Sequence, residues 1–229
     1  MEKSTIEGYN ATVHTPKSPS RRALYIIGSD ASDMYEGICN EYGVLTVCLE
    51  VEDWNRDLSP RKAPRAFKGQ EDFSGGAGKF AQILTERIIP TIEEEVSAVK
   101  VGMTASTVVT KRYIAGYSLA GLFACYACLS TECFDGFASV SGSLWFDGFI
   151  DDVKNSAKRP PVQRAYFSLG DREKNTRNQR MAVVEDMTRE ISALFEERGA
   201  ETLFELNPGN HFADSELRMK KGIDFLLGV

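Results

Sequence analysis

Histidine is scarce in this 229-residue chain: only His14 and His211 occur. A histidine-rich metal centre, which draws on two or three imidazoles, is therefore nearly excluded. Basic residues are also in the minority. The 27 Lys plus Arg face 33 Asp plus Glu, a formal charge of -6, so there is no positive field for nucleic acid or an anionic membrane. No collagen-like or heptad period occurs, and no Pro/Gly/Ser-rich linker divides the chain. The length suits one substantial core, so a single domain over residues 1–229 is expected.

The opening segment, MEKSTIEGYNATVHTP, lacks the basic stretch and apolar run of an export signal. A cytoplasmic address is the expectation. The five cysteines, Cys39, Cys48, Cys125, Cys128 and Cys133, are then expected to be reduced thiols. Cys125 and Cys128 have redox or metal-like spacing, but no second pair accompanies them and their surroundings are apolar and helical, which points to packing. Only Tyr113 to Thr131, 19 residues without a charge, is long enough to cross a bilayer. Its Gly116, Ser118 and Gly121, and its amphipathic flanks, favour a buried strand running into a buried helix.

Short apolar runs recur along the chain. Ala11 to Thr15, Ala23 to Ile27, Val44 to Val51, Arg112 to Tyr117, Gly136 to Val140, Ala165 to Leu169 and Thr202 to Leu206 have strand length and strand composition. Helical stripes lie between several of them: Phe80, Ile83, Leu84, Ile88, Ile92 and Val96, interrupted by Pro90, and Met181, Val184, Met187, Ile191, Leu194 and Phe195. A last helix is predicted from near Asp214 to Leu227. Alternating strands and helices imply a mostly parallel α/β sheet covered by helices on both faces. Trp54 to Gly78 and Ser141 to Pro161 read as long irregular loops. Gly75-Gly76-Ala77-Gly78-Lys79 lacks the first Gly and the terminal Ser or Thr of a phosphate loop, and reads as a helix entry.

Ser118 lies in Gly116-Tyr117-Ser118-Leu119-Ala120-Gly121, between a strand candidate and a helix candidate. A sharp strand-to-helix turn needs small residues two before and two after the exposed serine, and Gly116 and Ala120 meet that need. The alternative is a serine that caps a buried helix. A hydroxyl needs a base, and His211 is the single histidine downstream, in the turn-rich loop Asn207-Pro208-Gly209-Asn210-His211-Phe212. His14 precedes the serine and has the wrong chain order for a Ser, acid, His succession. For the acid, Ala165 to Leu169 runs into Gly170-Asp171-Arg172-Glu173, and two carboxylates compete. Glu173 is favoured for its reach, with Asp171 as the alternative that braces the turn.

Together LYIIGSD, GYSLAGLFA, FASVSGSLWF, FSLGDRE and NPGNHF resemble the putative esterase group of α/β-hydrolases, which contains esterase D, feruloyl esterases and enterobactin esterase-like enzymes. Ala120 departs from the commoner glycine of that group. The resemblance implies an α/β-hydrolase fold, compact and without a large lid domain. It also implies an oxyanion hole from the backbone N–H of Leu119 with that of Ser29 or Asp30. Trp145, beside Phe146, and Trp54, in a loop after another strand, are candidate walls of a substrate pocket. The expected activity is cleavage of a small-molecule carboxylic ester through an acyl-enzyme, with no cofactor or metal. An acyltransferase with the same triad, or a non-catalytic binding protein on the same fold, are the competing readings. The sequence leaves the acyl chain and the oligomeric state open.

Overall fold

In the computed structural model residues 1–18, 20–28, 33–99, 108–156 and 162–229 are described. In chain order the first half runs β1 (Glu2–Ile6), β2 (Tyr9–His14), β3 (Arg22–Ile27), α1 (Asp33–Tyr42), β4 (Leu45–Leu49), α2 (Trp54–Asp57), β5 (Lys62–Ala63), β6 (Phe73–Ser74), α3 (Ala77–Ile83) and α4 (Ile89–Val99). The second half runs β7 (Lys111–Tyr117), α5 (Leu119–Ser130), β8 (Gly136–Val140), α6 (Phe149–Asn155), β9 (Arg164–Gly170), α7 (Gln179–Ala182), α8 (Val184–Glu197), β10 (Glu201–Asn207) and α9 (Ser215–Leu227).

Eight strands form one sheet in the order β1-β2-β4-β3-β7-β8-β9-β10. The six strands from β4 to β10 are parallel, while β1 and β2 join antiparallel at one edge. The expected α/β-hydrolase arrangement, a mostly parallel sheet under helices, is thus what the chain adopts. Strand side chains alternate between two cores, as the period-2 geometry of a strand requires. Ala23, Tyr25, Ile27, Ile114, Phe137 and Phe167 face a large core shared with α3, α4, α5 and α8. Leu24, Ile26, Ala115, Ala138 and Tyr166 face a smaller one closed by α1 and α9.

The helices follow from their burial. The α5 sequence LAGLFACYACLS is apolar all round because nearly every residue is buried. Cys125 and Cys128 are wholly enclosed in it, burial pushes both thiols well up, and none of the five cysteines forms a disulfide. The charge-free window from Tyr113 to Thr131 is β7 followed by α5, and no helix among the described residues is long and apolar enough to cross a membrane.

The structure corrects the sequence reading in several places. The first helical stripe is divided by a π-helical turn, Leu84–Ile88, directly ahead of Pro90. Proline lacks an N–H and crowds the carbonyl four residues back, and the wider turn gives it room. The second stripe breaks at Val183 into α7 and α8. Trp54 to Gly78 is not all irregular, since it holds α2, the β5–β6 pair and the start of α3, and the other long loop holds α6. Gly76 caps α3, as a helix entry should.

His14, at the end of β2, is 3% exposed, and neither ring nitrogen has a hydrogen-bond partner among the described residues. Burial pulls its pKa below the usual histidine range, the N-terminal ammonium adds to that, and Glu36 opposes it. The unfolded chain therefore takes up a proton at His14 below about pH 6.5 that the folded chain refuses, and stability falls with pH until the lowered folded-state value is passed. His14→Leu is expected to flatten that part of the stability profile. Urea unfolding above and below the ordinary histidine range checks it, and an unchanged slope in the variant would sink the assignment.

Candidate active site

Three loops leave the carboxyl ends of β7, β9 and β10, the edge of a parallel sheet where ligands characteristically bind. Ser118 follows β7 and opens α5 with φ 59° and ψ -121°, a conformation costing a non-glycine residue about 1–3 kcal/mol. Its neighbours hold it there: the Ser118 N–H donates to the Val140 carbonyl at 3.0 Å, and the Ser143 N–H donates to the Ser118 carbonyl at 3.0 Å. A Cβ at Gly116 would stand 2.4 Å from the Ala120 backbone, so the tight turn demands glycine two residues before the serine. Ala120 itself is fully buried and tolerated.

His211 Nε2 lies 3.0 Å from Ser118 Oγ, and its Nδ1 lies 2.7 Å from Glu173 Oε2. A carboxylate only accepts, so Nδ1 carries the proton and Nε2 presents its lone pair to the serine hydroxyl. Tyr117 steadies the histidine from below: its hydroxyl donates to the His211 carbonyl and its ring lies 5.5 Å from the imidazole.

Glu173 is 6% exposed. Burial acts to raise its pKa, but the hydrogen bonds from His211 and the Gly170 N–H, with that of Ser141, outweigh it and hold the carboxyl below its usual range. The Gly170 N–H donates to Oε1 at 2.6 Å. Asp171, the alternative acid, is about half exposed and accepts from the Gly209 N–H at 2.9 Å, which ties the acid loop to the histidine loop. Among the sequence candidates the structure thus brings together Ser118, His211 and Glu173, and turns Asp171 away.

Leu119 opens α5, so its N–H has no partner within the helix. Ser29 and Asp30 lie outside the described residues. Trp54 is not in a loop but starts α2, where its indole covers Gly28 so closely that a Cβ there would meet the ring at 2.6 Å. It lines a cavity of about 470 Å³ with Ile27, Met34, Tyr117 and Met219, and with Glu216 on its wall. Trp145 lines a second cavity of about 240 Å³ with Phe67, Met181 and Val184. Ser118, His211 and Phe212 border both cavities. Each tryptophan therefore lines one of the two cavities that the serine borders. Among the described residues no cluster of side chains could hold a metal ion.

Two contributors are not apparent from local sequence. Phe212, next to the histidine, is 84% exposed at the shared mouth. Arg218 of α9 is 1% exposed under the site, and its guanidinium reaches Ser141, Glu173 and the Pro208 carbonyl. The available signal was its spacing: Arg218, Gly222 and Leu226 recur at i, i+4 and i+8 on the buried face of α9.

A family model described as "Putative esterase" matches residues 29–214. "Uncharacterized protein YbbA" of Bacillus subtilis (strain 168) is 24% identical over 156 residues, 67% of this chain and 60% of that protein, so the alignment spans less than two thirds of its length. Among solved structures, an IroE-like serine hydrolase from Shewanella oneidensis superposes with TM-score 0.78 and 16% identity, over 99% of this chain and 80% of that one. The siderophore hydrolase EstA from Aspergillus nidulans gives 0.74 and 18%, over 96% and 90%. At these identities the two structures speak for the fold alone.

Gly116→Ala is expected to lower the melting temperature, since crowding a packed turn costs about 1–3 kcal/mol. Thermal unfolding tests this, and an unchanged midpoint would contradict the steric account of the elbow.

Proposed function

The chain belongs to the putative esterase family, and on that premise we propose that it is a serine hydrolase cleaving a carboxylic ester through Ser118, His211 and Glu173. The observation that carries the reading is the continuous hydrogen-bonded chain from Ser118 Oγ through the imidazole to a buried carboxylate. His211 Nε2 takes the hydroxyl proton as Ser118 Oγ attacks the ester carbonyl carbon. The Leu119 N–H, with one from Ser29 or Asp30, stabilises the resulting oxyanion. As the tetrahedral intermediate collapses, the C–O bond breaks and the same proton passes to the departing alkoxide. Water, deprotonated by His211, then attacks the acyl-serine carbonyl; the acyl–Oγ bond breaks, His211 returns the proton to Ser118 Oγ, and the carboxylic acid leaves. Glu173 holds the imidazole in the required tautomer and offsets its charge while it is protonated.

The two cavities supply the likeness of a substrate. Their largely apolar walls, with Trp54 in the larger and Trp145 in the smaller, suit a neutral ester whose smaller arm fits the 240 Å³ cavity. Glu216 on the larger wall disfavours an anionic arm there. Trp145→Ala is expected to let one arm of the ester lengthen while selectivity for the other arm stays put. Rates on two series, varied separately in acyl and alcohol length, check this; equal relaxation of both arms would refute separate subsites.

Treatment with an organophosphonate should add one adduct per chain, seen by intact mass and lost in Ser118→Ala. Glu173→Gln should lower kcat by on the order of 10⁴, as removal of a triad acid does elsewhere. Asp171→Asn should change it little. Stoichiometric labelling at another residue, or a large loss confined to Asp171→Asn, would overturn the assignment.

A further inference from the structure

We infer that Arg218 is a positioning residue that holds Glu173 as an oriented carboxylate and joins the acid loop to the histidine loop. The inference rests on reading Glu173 as the triad acid. A guanidinium that is 1% exposed sits beside a carboxylate that is 6% exposed. Neither group is stable in such a place alone, because an unpaired buried charge forfeits its hydration.

The geometry divides the two carboxylate oxygens among three partners. Arg218 Nη1 faces Oε1 at 3.4 Å, which also accepts from the Gly170 N–H, whereas Oε2 is left to His211. One oxygen is anchored and the other is aimed. Nη1 also donates to Ser141 Oγ at 3.2 Å, in the turn whose Ser143 N–H holds the Ser118 carbonyl. Nη2 donates to the Pro208 carbonyl at 2.9 Å, three residues before the histidine. A single side chain on α9 thereby touches the loops after β8, β9 and β10. Lysine, with one point charge and no fork, could not make these contacts together.

The charged and titratable groups near Glu173 are few. His211 approaches from the loop after β10, Arg218 from α9 and the Tyr117 hydroxyl from β7. On its own loop Asp171 turns to the Gly209 N–H and to Arg172, and Lys174 pairs with Glu185. Removing the arginine charge thus leaves Glu173 with its burial and fewer opposing contacts, which favours its protonated form at higher pH.

The test compares kcat, KM and the pH profile on a neutral aryl ester for the wild type, Arg218→Met, Arg218→Lys, Glu173→Gln and the Glu173→Gln/Arg218→Met double variant, with folding followed by thermal unfolding. Arg218→Met is expected to lower kcat by on the order of 10²-fold, the scale of a misplacement of about 1 Å, with KM little changed. Its acid limb should move to higher pH, and Arg218→Lys should restore much of that limb. With Glu173→Gln already present, Arg218→Met should cost less than it does alone, because much of the arginine's effect on turnover passes through Glu173. The inference is overturned if Arg218→Met lowers kcat by the same factor with and without Glu173, or leaves the acid limb where the wild type has it. Should Arg218→Met not fold, the same cycle with Arg218→Lys decides it: a loss that shrinks beside Glu173→Gln supports the inference, and a fully multiplicative loss overturns it. Failure of the triad reading itself looks different, since Ser118→Ala would then keep wild-type turnover.

Discussion

Burying a carboxylate costs several kcal/mol unless hydrogen bonds and opposite charge replace its water, and the arrangement of the site depends on how Glu173 meets that condition. The Gly170 N–H, the imidazole of His211 and the guanidinium of Arg218 surround its two oxygens. Each comes from a different element. Satisfying the carboxylate therefore fixes where the loop after β10 must lie, and with it the distance from His211 to Ser118. Asp171 adds a second tie between the same loops through the Gly209 N–H. The strained serine needs comparable support, and it receives it from β8 and from the Ser141–Ser143 turn.

The sheet makes this convergence possible. Parallel strands β7, β8, β9 and β10 end on one edge, so loops far apart in sequence emerge side by side. Gly116 lets α5 start against the strand that precedes it, which leaves the serine side chain proud of the edge. On the opposite face α9 returns under the same edge and delivers Arg218 to Ser141 and the histidine loop. The edge is therefore supported from both layers of helices.

Much of this was legible in the sequence where a local pattern suffices. Strands β3, β4, β7, β8 and β9 are buried on both faces and read as continuous apolar runs. Strand β1 was not anticipated, because it is an exposed edge with polar residues at most positions. The brief α2, β5 and β6 were hidden for another reason: elements of two to four residues have no period to detect. Ser118, His211 and Glu173 each sit in a turn with its own signal, so their candidacy could be argued one by one. Their meeting could not, since it depends on strand order. Arg218 was missed because a charged residue in a charged helix ordinarily faces water, and its burial follows from the path of α9 across the sheet.

Ester cleavage through Ser118 requires a covalent acyl intermediate on its hydroxyl, and rapid-quench kinetics with mass analysis detects one. Mixed with excess aryl ester, the protein should release a burst of the alcohol product equal to the enzyme present, and acid-quenched samples should carry the acyl group on the peptide containing Ser118. A wild-type protein that turns over with the acyl mass on any other residue, or with no acyl mass and no burst under conditions where deacylation is slow, would contradict the account.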